Sequence, residues 1–304
     1  MTRLLSTKEV SELLDIHEKK VYKLITEQSL PATKVTGKWL FPSHLVEQWV
    51  ENNTINYPRQ QGYLIRTPAL FVIAGSNDIL LDKSISYFMK LYPEYTVVFG
   101  NLGSLGGLKT LKQGLCHISS SHLVQEDQQD FNFSYAVQEL DKLPAVVNFC
   151  YREQGLLISK DNPKNIQSIG DLSRGDIRIV NRSLGTGTRL WLDKKLQDRA
   201  VQPDEIKGYD REVQRHLDVG LEILSGRADA GPGIRTIAGL LNLDFIPMHW
   251  ERFDLLISKE RFFDRNIQSF LTMLHEQEWR DLSQELQGYD LTHSGKMVYP
   301  SQEI

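Results

Sequence analysis

Residues 70–78 read LFVIAGSND, an apolar run that ends at a glycine and passes into small polar residues. Residues 95–107, YTVVFGNLGSLGG, repeat the same pattern. Amphipathic stretches after the two runs predict helices over residues 79–90 and 106–112, and a third run, CHISS, follows at residues 116–120. Apolar runs that alternate with helices are typical of parallel strands joined by crossover helices. We therefore predict an α/β fold for this part of the chain.

Six further apolar segments continue the alternation towards the C-terminus. They are AVVNFCY (145–151), GLLIS (155–159), IRIVN (177–181), ADAGPGI (228–234), DFIPMHW (244–250) and LLISKE (255–260). We interpret each segment as another strand of the same α/β fold.

Three loops between a predicted strand and the following stretch are rich in Gly, Ser and Thr: residues 75–78, 103–107 and 181–189, the last reading NRSLGTGTR. The first amides of a helix lack internal partners and carry partial positive charge, so such loops bind anions, and ligands of open α/β sheets gather at these strand ends. The chain has no Gly-x-x-x-x-Gly-Lys-Ser/Thr motif, and residues 103–107 do not fit Gly-x-Gly-x-x-Gly. Nucleotide hydrolysis and dinucleotide binding therefore lose support, and a small oxyanion is favoured.

The first 50 residues carry a different pattern. Ser6-Thr7-Lys8-Glu9 predicts a capping box that opens a short helix, and Asp15-Ile16-His17 interrupts it before a second helix over residues 18–30. Residues 32–41 flank Thr36-Gly37 as a two-stranded hairpin would, and Pro42-Ser43 opens a third helix. This order of elements predicts a helix-turn-helix followed by a hairpin wing.

The composition of the chain limits the number of folding units and the classes of function. With 304 residues, of which 40% are hydrophobic and 24% are charged, the chain has room for two globular units. A net charge of -4 gives no overall basic signature, so a nucleic-acid surface must be local. Cys116 and Cys150 are too few for a disulfide framework, and no Cys/His spacing predicts a metal-cation site. Charges interrupt the N-terminal sequence MTRLLSTKEVSELL, so we expect a cytoplasmic protein without a membrane partner.

The segments STKEVSELLDI, KKVYKLI and LPATKVTGKWLFP resemble the excisionase or MerR-like winged helix-turn-helix family of DNA-binding domains. The resemblance implies that residues 1–53 bind duplex DNA, with the second helix in or beside the major groove and the wing near phosphate. The implied DNA-binding residues are Lys19, Lys20, Tyr22, Lys23, Gly37 and Lys38. The alternative is that these lysines only solvate an exposed helix face. The family more often has arginine where this chain has lysine, which weakens the assignment of base contacts to single residues.

The segments GSND, VNRSLGTGTRLWLDKKL, GYDREVQRHLDVGLEILSGRADAGPGI and LQGYDLTHSGKMV resemble the periplasmic-binding-protein-like domain found behind helix-turn-helix units in bacterial regulators. That domain type is related to molybdate and tungstate carriers. The resemblance implies a type II fold of two α/β lobes over residues 68–304, with the ligand between them. Lobe one would hold residues 68–150 and 250–304, lobe two residues 151–249, and residues 54–67 would be a linker.

The same resemblance, together with the loop chemistry, supplies the candidate ligand-binding residues. In the first lobe they are Ser76, Asn77, Ser104, Leu105 and His122, and in the second they are Arg182, Gly185, Thr186, Thr188, Arg189 and Gly231. Structural roles compete with each of them. The serines could be plain helix N-caps, the arginines could pair with Asp193 or Glu212, and a lone histidine is more often structural than a ligand.

These features predict a ligand-responsive transcription regulator that needs no cofactor. Symmetric operators match two-fold proteins, so we expect a homodimer. Molybdate or tungstate is the expected ligand, although the two arginines of residues 181–189 would also suit an organic phosphate or carboxylate. An enzyme of molybdenum-cofactor metabolism is the alternative from another class, but no nucleophile motif or metal cluster supports it. A transport-linked binding protein does not fit the attached helix-turn-helix.

Overall fold

The computed structural model describes residues 3–35, 37–54, 69–124 and 131–300. They fall into two compact units, one within residues 1–64 and the other within residues 65–304. Except for Thr54, the predicted linker of residues 54–67 lies outside the described residues.

The small unit contains a three-stranded antiparallel sheet and three helices. In chain order its elements are β1 (Leu4–Ser6), α1 (Thr7–Leu13), α2 (Glu18–Glu27), β2 (Thr33–Val35), β3 (Lys38–Pro42) and α3 (Ser43–Asn53). Strand β3 lies between β1 and β2. The helices, the turn and the hairpin confirm the predicted winged helix-turn-helix, whereas β1 was not predicted because three residues are too few to show a periodic pattern. The core of the unit is formed by Leu5, Val10, Val21, Leu30, Phe41 and Val46.

Local hydrogen bonds determine where α1 begins and where α2 ends. The Ser6 hydroxyl accepts a hydrogen bond from the Glu9 amide, and the Glu9 carboxylate accepts one from the Ser6 amide at 2.8 Å, which is the predicted capping box. These bonds and Arg3 lower the pKa of Glu9 to about 2. Helix α2 ends at Glu27, three residues earlier than predicted, because Ser29 takes a positive φ and the Leu30 amide turns back to the Leu24 carbonyl.

The large unit combines nine strands with eight helices within its described residues. The strands are β4 (Ala69–Gly75), β5 (Tyr95–Asn101), β6 (Ile118–Ser121), β7 (Ala145–Ile158), β8 (Asn181–Arg182), β9 (Glu212–Val213), β10 (Ala230–Ile234), β11 (Asp244–Ile257) and β12 (Tyr289–Asp290). The helices are α4 (Ile79–Leu91), α5 (Gly103–Lys112), α6 (Phe133–Glu139), α7 (Gly187–Gln197), α8 (His216–Leu224), α9 (Arg235–Leu241), α10 (Arg265–Met273) and α11 (Gln277–Gln284).

The main sheet has the order β10-β7-β11-β6-β4-β5, with β12 paired to β7. Strand β4 is parallel to β5 and to β6, as the sequence predicts. Strands β7, β10 and β11 are antiparallel to their neighbours, a direction that the sequence analysis did not predict. The long strands β7 and β11 pair with each other over almost their whole length.

The strands β7 and β11 were each predicted as two separate segments. Polar residues cause the error: Arg152, Glu153 and Gln154 interrupt the apolar run of β7, and Glu251 and Arg252 interrupt that of β11. In the structure the two strands continue through these residues and join two hydrophobic cores. The first core includes Phe71, Phe88, Phe149, Phe253, Phe270 and Trp279, and the second includes Leu156, Ile177, Ile179, Leu192 and Ala230. The two-lobed α/β fold is therefore confirmed.

Candidate functional site

The polar residues that interrupt the two long strands lie opposite one another where the lobes join. Arg152 on β7 pairs in register with Glu251 on β11, and Gln154 pairs with His249. Residues two apart in a strand share a face, so these four side chains point to the same side of the sheet. Arg152 and Glu251 are fully buried and hydrogen bonded, with 2.6 Å between Arg152 Nε and Glu251 Oε1.

The first lobe adds a chain of hydrogen bonds to this pair. The ring of His122, just after β6, has its Nδ1 3.0 Å from Glu251 Oε2 and its Nε2 2.9 Å from Ser76 Oγ, at the end of β4. The His122 amide donates to Ser104 Oγ at 3.3 Å in the first turn of α5. We call the hydrogen-bonded series of Ser76, His122 and Glu251 the Ser-His-Glu chain. All of its members are buried.

A further carboxylate completes the surroundings of Arg152. Its Nη1 donates to Asp78 Oδ2 at 2.7 Å, and the Tyr289 hydroxyl donates to the same oxygen at 2.9 Å. Burial acts to raise the pKa of Glu251, but His122 and Arg152 outweigh it and hold that pKa at about 2. Burial lowers the pKa of His122; Glu251 acts to raise it, whereas Arg152 lowers it further. Glu251 is therefore ionised and His122 neutral at pH 7.

The second lobe faces this chain with buried donors. Arg182 on β8 is 1% exposed, and its Nε and Nη1 have no hydrogen-bond partner among the described residues. The same holds, within that part of the chain, for Thr188 Oγ1, both ring nitrogens of His216, and Nη2 of Arg152. Burial lowers the pKa of His216, and Arg182, Arg152 and His122, which are within electrostatic range of it, lower that pKa further. We call the space that they border the interlobe cleft.

The charge of Arg182 is only partly compensated, through Asp218 and Glu251, neither of which is hydrogen bonded to its guanidinium among the described residues. Burial lowers its pKa to about 9, and the positive charge of Arg152 adds to the effect. A guanidinium nevertheless stays protonated in a protein at neutral pH. A buried charge without a hydrogen-bonded partner is costly, so an anion placed beside Arg182 would be stabilising.

Arg189, in contrast, has its charge satisfied within the second lobe. Its Nε donates to Asp193 at 2.9 Å, and its Nη1 donates to Glu212 at 2.7 Å and to the Arg182 carbonyl at 3.2 Å. Arg189 thus forms the structural ion pairs that were the alternative to ligand binding. Thr186 is also engaged, because its hydroxyl caps α7 at Arg189 and donates to the Ser183 carbonyl.

The two lobes touch where the predicted loops meet. A Cβ placed on Gly187, the first residue of α7, would lie 2.7 Å from the His122 ring, and one on Gly103 would lie 3.4 Å from the Gly185 carbonyl oxygen. Only glycine permits so close an approach of the α7 N-terminus to His122. The loops of the two lobes therefore meet beside His122.

Three candidate ligand residues have other structural roles. The Asn77 side chain donates to the Asp82 carboxylate at 3.0 Å. Leu105 packs against the core beneath α5. Gly231 is required by packing, since a Cβ there would lie 2.6 Å from the Val180 carbonyl oxygen. The structure thus brings Ser76, Ser104, His122, Arg182 and Thr188 to the interlobe cleft.

Sequence reasoning missed five residues of this region: Arg152, Gln154, His216, His249 and Glu251. The signal that could have found four of them is the polar interruption of an apolar strand, which a buried site explains better than a turn. The amide of Gln154 and both ring nitrogens of His249 are buried, without a partner among the described residues. The His249 ring stacks on Trp191.

The candidate DNA-binding residues lie on two exposed elements of the small unit. Lys19, Lys20, Tyr22 and Lys23 are exposed on α2, at the three- and four-residue spacing that puts side chains on one helix face. At the hairpin, Gly37 and Lys38 are exposed as well. The buried side of α2 is held by Val21, which packs into the core of the unit.

Comparison with known proteins identifies both units. Residues 85–275, more than half of the chain, match the family described as the PBP superfamily domain. The chain belongs to the PBP superfamily. Ahead of this PBP domain, residues 4–54 match a helix-turn-helix domain.

One relative matches almost the whole length of this PBP-superfamily chain, and two solved structures resemble it in fold. YvgK of Bacillus subtilis is 30% identical over 298 residues, which cover 95% of this chain and 96% of YvgK. A substrate-binding protein with bound phosphate from Clostridium perfringens has a TM-score of 0.54 at 14% identity, covering 76% of this chain and 100% of that one. The regulatory domain of MetR, a LysR family regulator from Neisseria meningitidis, has a TM-score of 0.51 at 12% identity, with coverage of 76% and 100%. These two structures show the shared fold.

The comparisons confirm the resemblances at the level of a helix-turn-helix followed by a PBP-like domain. The relation to molybdate and tungstate carriers stays a prediction. No helix in the described part of the chain combines the length and the apolar composition that crossing a bilayer requires. Within the same residues, no three His, Cys, Asp or Glu side chains are grouped as a metal site would need.

Proposed function

We propose that the protein is a DNA-binding transcription regulator whose PBP domain binds a small oxyanion in the interlobe cleft. The observation that carries the ligand part is Arg182, a buried guanidinium with two nitrogens that have no partner among the described residues. Thr188 and His216 add neutral donors from the same lobe. In the first lobe Ser104 lies in the first turn of α5, whose Gly103 closely approaches the Gly185 carbonyl. Such a set of charged and neutral donors suits an anion better than a neutral ligand.

The role proposed for the site is binding, not catalysis. The helix-turn-helix unit supports it, because a DNA-binding module joined to a PBP-like domain is the architecture of a sensor. A regulator acts where the DNA is, so the proposal places the protein in the cytoplasm. A ligand that contacts both lobes would favour the lobe arrangement described above, and that preference is the free energy available for regulation.

For DNA, we propose that α2 and the hairpin contact the duplex through Lys19, Lys20, Tyr22, Lys23, Gly37 and Lys38. Their support is their exposure on one helix face and at the hairpin of a helix-turn-helix unit. One such unit contacts few base pairs, and we therefore propose a homodimer on a two-fold operator. Light scattering of the complex with operator DNA checks this, and a monomer bound to DNA would contradict it.

Molybdate and tungstate remain candidate ligands because of the predicted family relation, and phosphate joins them because the Clostridium perfringens structure contains it. Calorimetry with each anion on the full chain tests the class. A ligand at about 100 times its dissociation constant should stabilise the protein by about 2.7 kcal/mol.

The variant Arg182→Gln should lose this response, whereas Arg199→Gln, which changes an exposed arginine of the same lobe, should keep it. Absence of binding by every small anion, together with a clear response to a neutral molecule, would refute the proposal.

A further inference from the structure

The Ser-His-Glu chain has a fixed direction of hydrogen bonding. Glu251 is ionised, and its Oε1 and Oε2 accept from Arg152 Nε and from His122 Nδ1 at 2.6 and 3.0 Å. A neutral imidazole that donates from Nδ1 must accept at Nε2. The atom 2.9 Å from that nitrogen is Ser76 Oγ, so the Ser76 hydroxyl donates its proton to His122.

A serine whose proton is already committed can only accept from another group. Its hydroxyl has one donor and two acceptor lone pairs, and the donor points at His122. Ser76 follows β4, and its amide is engaged with the Ser120 carbonyl at 2.9 Å. A ligand beside Ser76 can therefore only donate a hydrogen bond to a lone pair of the Ser76 hydroxyl oxygen.

We propose that the Ser-His-Glu chain makes Ser76 a hydrogen-bond acceptor, so that the interlobe cleft selects an oxyanion that carries its own hydroxyl proton. Arg182 would hold the anionic oxygens and Ser76 the protonated one. This specificity rests on the proposed anion-binding function. It favours hydrogen phosphate and hydrogen arsenate over sulfate, molybdate and tungstate, which are fully deprotonated at neutral pH.

The groups around His122 maintain this direction. They are Glu251 and His249 on β11, Arg152 on β7, Arg182 on β8, His216 on α8 and the stacked Phe253 ring, 5.8 Å away between centroids. The two arginines disfavour a charged imidazolium, and Glu251 accepts from Nδ1. A deprotonated anion oxygen beside Ser76 would therefore meet lone pairs rather than a donor.

The experiment compares two pairs of anions matched for size, titrated calorimetrically into the full chain at pH 7. Phosphate is paired with sulfate, and arsenate with molybdate. We expect the protonated member of each pair to bind about tenfold tighter or more, as loss of one hydrogen bond at a buried site implies. Equal affinities within both pairs would overturn the acceptor role and leave anion binding intact. No binding of any of the four would overturn the proposed anion site itself.

The variant Glu251→Gln tests the direction. Its carbonyl oxygen can still accept from Arg152, but its amide would donate to His122 Nδ1. The imidazole would then donate from Nε2 to Ser76, whose proton would be free for the ligand. We expect the preference for phosphate over sulfate to disappear or reverse. The control is Glu153→Gln, which removes the adjacent carboxylate of β7 that pairs with Arg235. An unchanged preference in Glu251→Gln would refute the inference.

Nitrogen-15 NMR of the imidazoles gives a test that does not depend on the fold of a variant. The His122 signals, assigned by their loss in His122→Asn, should show a neutral ring protonated at Nδ1. A ring protonated at Nε2, or at both nitrogens, would contradict the proposal. Hydrolases use the same order of serine, histidine and carboxylate for nucleophilic attack. Covalent labelling of Ser76 by a fluorophosphonate would therefore replace the acceptor role with a nucleophilic one.

Discussion

Replacing Arg182 with methionine should stabilise the ligand-free protein and abolish anion binding. The pKa of Arg182, lowered from 12.5 to about 9, corresponds to about 5 kcal/mol at 1.36 kcal/mol per pKa unit. Its folded pKa is depressed, so the cost of the charge is present at neutral pH and is relieved only above pH 9 or by a bound anion. Exchange of a buried ion pair for hydrophobic residues of similar volume stabilises other proteins by about 1–4 kcal/mol. We expect Arg182→Met to fall in that interval.

Urea unfolding of the full chain, with and without saturating ligand, measures the effect. Arg182→Met should unfold at a higher urea concentration than the parent without ligand, and ligand should no longer move its midpoint. Arg199→Met, at an exposed position, should change the free energy of unfolding by less than about 0.5 kcal/mol and keep the ligand response. If Arg182→Met is less stable than the parent at an unchanged denaturant slope, the guanidinium is compensated in the free protein and the reasoning fails.

Substitutions at Ser104, at the exposed lysines of α2 and at Gly187 test the two proposed binding surfaces. Ser104→Ala should weaken anion binding in calorimetry and leave ligand-free DNA binding intact; an equal loss of both would point to misfolding. Lys20→Ala and Lys23→Ala should each reduce the salt slope of DNA binding by about 0.9, measured by fluorescence anisotropy, whereas Lys142→Ala in the large unit should not. Gly187→Ala should lower anion affinity because its methyl group would collide with the imidazole that follows β6. Unchanged affinity in that variant would mean that the lobes bind ligand without this contact.

The fold could be predicted from the sequence wherever the apolar residues of an element, or the residues that cap it, form a regular local pattern. The capping box at Ser6 and the strand–helix alternation from Ala69 to Lys112 are of this kind, and both are present in the structure. The direction of β7 and β11 could not be predicted, because pairing partners far apart in the chain leave no local pattern. Their length was hidden as well, since the polar residues at their centres resemble a loop when only hydropathy is considered.

The sequence predicts candidate site residues in the loops rich in Gly, Ser and Thr. It does not predict residues whose role depends on a hydrogen-bond partner far away in the chain. Arg182 and Arg189 stand seven residues apart in one Gly-rich segment, and only Arg189 has a carboxylate one helical turn later, Asp193. The fold adds Glu212 to Arg189 and leaves Arg182 without such a pair among the described residues. Likewise, no spacing rule connects Ser76 with Glu251, which lie at opposite ends of the domain sequence and meet through His122.

The two halves of the interlobe cleft differ in a way that bears on how a ligand would act. In the first lobe and the crossing strands, Ser76, His122, Glu251 and Arg152 Nε are already hydrogen bonded in series, so this half sets the direction of hydrogen bonding. In the second lobe, Arg182 holds buried donors without partners in the described part of the chain, so this half has the most to gain from an anion. A ligand held mainly by the second lobe would then be discriminated by the first, because only contact between the lobes brings Ser76 to it. The second lobe would thus provide most of the affinity for the anion, and the first lobe would provide the specificity. Because a correct ligand contacts both lobes, the same contacts that select it would also favour the lobe arrangement through which the protein signals that ligand is bound.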